Sequence, residues 1–173
     1  MKKVLLLSLF VLLGQGLFAQ GFQISVNGGL PVGNASDFAD FAINVDAAYL
    51  FEAGYEFSAG PVIGYSHSFV DFTQTVGPIT IDLDDVQFIP LAARGSWNFA
   101  DAWTFQGDVG YAIGVNDGND GGFYYSPRIM YWVSPIIGIA AAYRGVAVSN
   151  GGWNMLTLGV EFNLGGTSSA DVE

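Results

Sequence analysis

From Trp103 to Val115 the chain reads WTFQGDVGYAIGV. Trp103, Phe105, Val109, Tyr111, Ile113 and Val115 take alternate places, with only Gly107 interrupting the set. Between them stand Thr104, Gln106, Asp108, Gly110, Ala112 and Gly114. Successive side chains of a strand point to opposite faces, so this stretch has one apolar face and one small or polar face. Period-two segments recur at about 21–30, 40–51, 56–68, 86–98, 102–116, 122–133, 136–146 and 153–164, separated by clusters of Gly, Asp, Asn and Pro. That spacing predicts eight strands. Each is long enough to cross a bilayer when tilted. An even number of antiparallel strands can close on itself and leave no unpaired edge. The expected fold is all-β, an eight-stranded antiparallel transmembrane β-barrel.

Alternation alone does not say which face meets water. A soluble barrel fills its centre with apolar groups and covers its outside with polar ones. Three features favour the opposite arrangement. Charged residues make up 12% of the chain, about half the share of an ordinary soluble domain. Aromatic residues gather near strand ends: Trp97, Phe99 and Trp103 beside one short turn, Phe123 and Trp153 at the other rim, as in two interfacial girdles. The connections also sort by length. Segments 31–40, 69–85, 116–122 and 147–152 are long or medium, whereas 52–55, 98–102 and 134–135 are short. Longer outer loops alternating with short periplasmic turns, both termini inside, follow from that sorting. Pro61, Pro90 and Pro127 fall within predicted strands. Each lacks the N–H that a ladder needs, so bulges or register breaks are expected there.

The beginning of the chain, MKKVLLLSLFVLLGQGLFAQ, places Lys2 and Lys3 before an apolar run from Val4 to Leu13. This is the layout of a secretory signal peptide, with cleavage expected after Ala19. The run is too short for a spanning helix. The division is then 1–19 signal peptide, 20–164 barrel and 165–173 polar tail. Of the five Lys and Arg, only Arg94, Arg128 and Arg144 follow the leader, against 16 acids. A surface so acidic excludes nucleic acid as a partner, because phosphates need Lys and Arg to neutralise them. With no Cys there is no disulfide framework.

Alternation places Asp46, Arg94, Asp108, Arg128, Arg144 and Glu161 on inward faces. Pairing Phe99 with Trp103 across the short turn sets Arg94 opposite Asp108. Pairing Val115 with Phe123 sets Arg128 diagonal to Asp108. An eight-stranded interior is just wide enough for side chains to fill, so these groups form an ion-paired plug. The alternative is a selectivity ring in a narrow small-solute channel, with inward Gly60, Gly64, Gly110, Gly114 and Gly138 leaving a water path.

The outer loops hold Asp37, Asp40, Asp71, Asp82, Asp84, Asp85, Asp117 and Asp120 and no Lys or Arg. Divalent cations, which take oxygen ligands, would bridge DLDD and NDGND to anionic lipopolysaccharide phosphates. Neither stretch has EF-hand spacing, so no dedicated metal site is expected. YSHSF carries the chain's one His. Tyr65, His67 and Phe69 share one face, and Ser66 and Ser68 point the other way, so Ser and His cannot meet as nucleophile and base. No phosphate loop, zinc site or paired catalytic carboxylates stand out. No catalytic residue, cofactor or metal is assigned.

The C-terminal TLGVEFNL, with Thr157, Gly159, Phe162 and Leu164, resembles the β-signal of outer-membrane proteins. Leu164 stands where that signal usually ends on an aromatic, and nine residues follow it. FIPLAARGSWNF (88–99) resembles an Ile-Pro-Leu strand of small Bacteroidota-type barrels. With the signal peptide, the chain is similar to the eight-stranded OmpA/OmpX-like outer-membrane β-barrel superfamily. The resemblance implies a Gram-negative outer-membrane address, outer-membrane lipids as surroundings, and periplasmic chaperones and the barrel assembly machinery as partners. The expected role is non-enzymatic: an envelope scaffold or surface-loop binding module. A lipid-A-modifying enzyme is the weakest alternative.

Overall fold

The computed structural model describes residues 21–70, 73–76, 79–82, 84–148 and 151–165. The expected signal peptide, residues 1–19, lies outside them, as do residues 166–173 of the tail. Among the described residues there are eleven strands: β1 (Phe22–Val32), β2 (Ala39–Tyr49), β3 (Phe51–Glu52), β4 (Phe57–Val70), β5 (Thr73–Val76), β6 (Ile79–Asp82), β7 (Val86–Ala100), β8 (Trp103–Gly114), β9 (Gly122–Trp132), β10 (Ile137–Val148) and β11 (Gly151–Asn163). A short 3-10 turn, Gly33–Asp37, joins β1 to β2.

The eight long strands form one closed antiparallel barrel. Neighbours run β2-β1-β11-β10-β9-β8-β7-β4, and β2 also pairs with β4. β3 is a two-residue addition to β4, and β5 and β6 form a separate hairpin between β4 and β7. The two ends of the described chain meet where Gly21 N–H donates to Gly165 O at 3.0 Å. That end also carries the short turns.

Sorting across the wall follows the period-two pattern. Val109, Tyr111 and Ile113 are 55%, 51% and 45% exposed, whereas Gln106 and Asp108 are buried. Phe57 stacks on Trp97 and Trp103 tilts against Tyr131 near the short turns. Phe41 stacks on Phe69 near the loop end. Phe123 points outward there, but Trp153 does not. It lies on the inward parity of β11 and donates from Nε1 to Ser68 Oγ at 3.0 Å. An indole has room inside at that level, and a buried N–H needs a partner.

The prolines act differently from expectation. The β4–β7 register is constant from Phe57↔Trp97 to Ser66↔Phe88 and skips only the rungs beside Pro90. β9–β10 likewise skips the rungs beside Pro127 without slipping. Pro61 pairs with Ala93 in an unshifted ladder. A missing N–H removes a bond but adds no residue, so register survives. The shifts fall instead between Ala39 and Phe41 and between Asn98 and Ala100. The second overturns the Phe99–Trp103 pairing: Ala100 faces Trp103 and Phe99 is the extra residue. The connection after β10 is also shorter than read, since Val148 pairs with Gly151.

Candidate functional site: the charged lumen

Six strands, β2, β7, β8, β9, β10 and β11, each carry one charged residue inward. Arg94 (β7) faces Asp108 (β8) in the ladder. Beyond the bulge at Phe99, the register returns to the one that pairing Phe99 with Trp103 would have produced. Arg128 (β9) faces Gln106, and Asp108 faces Ser126. Tyr111, not Val115, pairs with Phe123. The loop before β9 is therefore wider than expected, yet Arg128 stays diagonal to Asp108, now from the other side.

Asp46, Arg94, Asp108, Arg128, Arg144 and Glu161 are all at most 3% exposed. Arg94 grips Asp108 with two bonds, Nε to Oδ1 at 2.7 Å and Nη2 to Oδ2 at 3.1 Å. Its Nη1 crosses the lumen to Glu161 Oε2 at 3.1 Å. Arg128 joins the same two acids, Nη1 to Glu161 Oε2 at 3.1 Å and Nη2 to Asp108 Oδ2 at 3.0 Å. Arg144 donates from Nη1 to Asp46 Oδ1 at 3.1 Å and from Nη2 to Asp46 Oδ2. Arg128 Nη2 lies 3.5 Å from Asp46, so the groups make one network. Charge cancels within it, three arginines against three carboxylates. Forked guanidinium bonds suit this: each planar fork matches a carboxylate and fixes its orientation.

Neutral inward residues join the network. Ser25 Oγ donates to Asp46 Oδ2 at 3.0 Å and Gln106 Nε2 to Glu161 Oε1 at 3.4 Å. Alternation puts Gln106 on the inner face, but neither its bond to Glu161 nor that of Ser25 to Asp46 can be read from it. The inward glycines lie against neighbouring groups. A side-chain carbon at Gly64 would strike the Asp46 carboxylate, and one at Gly138 would strike Met130 Sδ. At Gly60, Gly110 and Gly114 it would strike backbone of a neighbouring segment. These glycines admit close approach of strands and charges.

Nearer the loop end, Phe88, Ala112, Tyr124 and Val146 form a buried apolar layer, with Trp153 packed against it. The lumen thus has an ionic layer and, toward the loops, an apolar layer, while a second apolar cluster of Ala48, Leu50 and Val62 lies on the short-turn side.

The acidic loops are partly occupied internally. Asp85 Oδ2 lies 2.8 Å from His67 Nε2, and its Oδ1 accepts from Val70 N–H at 2.9 Å. These two contacts, the backbone donor first, hold the Asp85 carboxyl below the usual carboxylate range. His67 Nδ1 lies 3.2 Å from Tyr65 Oη, which donates to Gln87 Oε1 at 3.0 Å. Ser66 and Ser68 are buried inside, across the wall from His67. In NDGND, Asn116 Oδ1 accepts from Gln87 N–H and Asn119 Oδ1 from Gly121 N–H, so these oxygens anchor the loop. Asp37, Asp40, Asp84, Asp117 and Asp120 are exposed. Asp82 ends β6, and Asp71 lies outside the described residues. Among the described residues no three His, Asp or Glu side chains gather as a metal site.

β11 holds the residues of the C-terminal motif and closes the barrel between β1 and β10. Thr157 points inward and donates to Ala142 O at 3.4 Å. Gly159 lies against the Val26 carbonyl and Asn27. Phe162 and Leu164 point outward.

No protein-family model and no curated protein matches the chain. Solved structures do resemble it. Ail, the attachment invasion locus protein of Yersinia pestis, in a phospholipid bilayer nanodisc superposes with a TM-score of 0.58 at 12% identity, over 83% of this chain and 99% of that one. Neisserial surface protein A gives 0.52 at 14% identity, over 83% and 97%. A structure from de novo design of transmembrane β-barrels gives 0.52 at 13% identity, over 83% and 95%. At these identities the likeness is one of fold: a closed eight-stranded antiparallel barrel.

Proposed function

We propose that this chain is a non-enzymatic outer-membrane barrel of OmpA/OmpX-like type, with a closed lumen and an acidic surface of loops that binds cationic partners. The carrying observation is where the positive charge goes. All three arginines beyond the leader are buried in the lumen on carboxylates. The exposed loop acids therefore have no arginine or lysine beside them. Apolar groups outside and charges inside suit hydrocarbon around the wall, since a transmembrane barrel reverses the soluble arrangement. Loops on a rigid scaffold are where recognition usually sits.

The sign of that surface separates this chain from one structural relative. Ail of Yersinia pestis was solved with the heparin analogue sucrose octasulfate, a polyanion. Loops bearing Asp37, Asp40, Asp84, Asp117 and Asp120 repel such a ligand. They favour a basic protein face, or divalent cations bridging to lipopolysaccharide phosphates. Export by a cleaved signal peptide, periplasmic chaperones and insertion by the barrel assembly machinery through Thr157, Gly159, Phe162 and Leu164 complete the reading.

The filled lumen favours this role over a small-solute channel. Planar bilayers test it: the refolded protein is expected to give no steps of ion current, and regular open-channel steps would replace the binding role with conduction. Capture on polycationic beads, lost after replacing Asp117 and Asp120 with Asn, is the matching expectation for the loops.

A further inference from the structure

Between the two layers of the lumen lies a small cavity bordered by Asn44, Ser66, Tyr124 and Arg144, with Phe88 and Trp153 on its apolar side. It offers about 10 Å³ to the centre of a water molecule, close to the space that one water needs. Each of the four polar residues brings a buried atom that makes no hydrogen bond within the protein: Asn44 Oδ1, Ser66 Oγ, Tyr124 Oη and Arg144 Nε. All four residues are at most 5% exposed, and they come from four strands, β2, β4, β9 and β10. Buried polar atoms of this kind are costly unless partnered, and the four residues that carry these border one cavity.

We infer that this cavity is a binding site for a single water molecule that joins the ionic layer to the apolar one. The chemistry of the four groups selects water. Arg144 Nε–H and the Tyr124 hydroxyl donate to its oxygen, and its hydrogens go to Asn44 Oδ1 and Ser66 Oγ. That is two bonds accepted and two donated, the full capacity of one water. An anion gains little here, because Arg144 is already matched by Asp46, and Asn44 Oδ1 would oppose it. A cation is repelled by Arg144. An apolar occupant would leave all four groups unbonded. The water also completes Arg144, whose two terminal nitrogens are taken by Asp46.

The test is a high-resolution crystal structure of the refolded full chain, grown from bromide. One density peak within hydrogen-bond distance of at least three of the four atoms, without anomalous signal, is the expected result. An anomalous bromide peak at the site overturns the inference, and so does a cavity closed by the four groups bonding one another. In solution, oxygen-17 relaxation dispersion should detect one long-lived water in the natural protein. In Tyr124→Phe that water should exchange roughly fivefold faster, as expected for one lost bond. Equal dispersion in the two proteins would count against the site. The crystallographic arm needs no variant, so a poorly folding Tyr124→Phe leaves the inference open to refutation.

Discussion

The two layers of the lumen do the same geometric task with opposite chemistry. The ionic layer fills its cross-section with Arg94, Arg128, Arg144 and three carboxylates. The apolar layer fills its own with Phe88, Tyr124, Val146 and Trp153. Every residue of the apolar group lies two places from the loop end of its strand: Phe88 after Val86, Ala112 before Gly114, Tyr124 after Gly122, Val146 before Val148, Trp153 after Gly151. Apolar packing tolerates small shifts, because contacts are many and undirected. Forked ion pairs do not tolerate them. Arg94 reaches Glu161 across the lumen only if β7 and β11, which are not neighbours, hold their stagger. The contrast suggests that the ionic layer fixes the shear of the barrel and the apolar layer closes its outer half.

Breaking the ionic layer should cost most. Arg94→Ala strips Asp108 of two bonds and Glu161 of one. Leaving buried carboxylates uncompensated is expected to lower stability by about 3–5 kcal/mol, read by urea unfolding in lipid vesicles. A loss below about 1 kcal/mol would show that water reaches the layer freely and that the pairs are not dry. Removing Asp108 as well should recover part of that loss, since the stranded charge goes with it.

Breaking the apolar layer should cost somewhat less. Phe88→Ala is expected to lose about 3 kcal/mol, at the low end for such truncations because the site already borders a cavity. Its bilayer trace should remain silent while the ionic layer stands. Current through Phe88→Ala but not through Arg94→Ala would assign the seal to the apolar layer alone.

The smallest effect lies outside the wall. His67→Ala releases Asp85 from one of its two contacts and loosens the anchor of the 71–85 connection. The pair is half in solvent, so faster protease cutting there, rather than a stability change, is the measurement. The Asp85 carboxyl is held low, so its contribution is intact above the ordinary carboxylate range near pH 4. It is lost only as pH falls through that lower folded value. Cutting should therefore rise once the pH falls below the ordinary carboxylate range. Cutting that stays flat in strong acid would contradict this role of Asp85.

How far the sequence reaches can be judged from single residues. That Asp108 points inward and Tyr111 outward follows from a period of two, a property of the strand itself. The same rule places Arg128, Arg144, Asp46 and Glu161 inside without any knowledge of their partners. It also places Trp153 inside, where it meets Ser68; the expectation of an outer girdle there came from its position at a strand start. Pairing across the turns set Arg94 and Arg128 beside Asp108, but not the crossings of both to Glu161 or the pair of Arg144 with Asp46. The wider loop before β9 moved the register by four residues. Arg128 kept its face because four is even.

The period-two alternation determined the eight long strands and their two faces, and the low charge, the strand-end aromatics and the sorted connections pointed to the reversed arrangement of oil and water. Only the tertiary structure decided the bulge at Phe99, the Arg94–Glu161 bridge across the lumen and the meeting of Asn44, Ser66, Tyr124 and Arg144 at one cavity. The reason is geometric: a side chain's face depends on its own strand, whereas its partner depends on the stagger of all eight strands once the ring has closed.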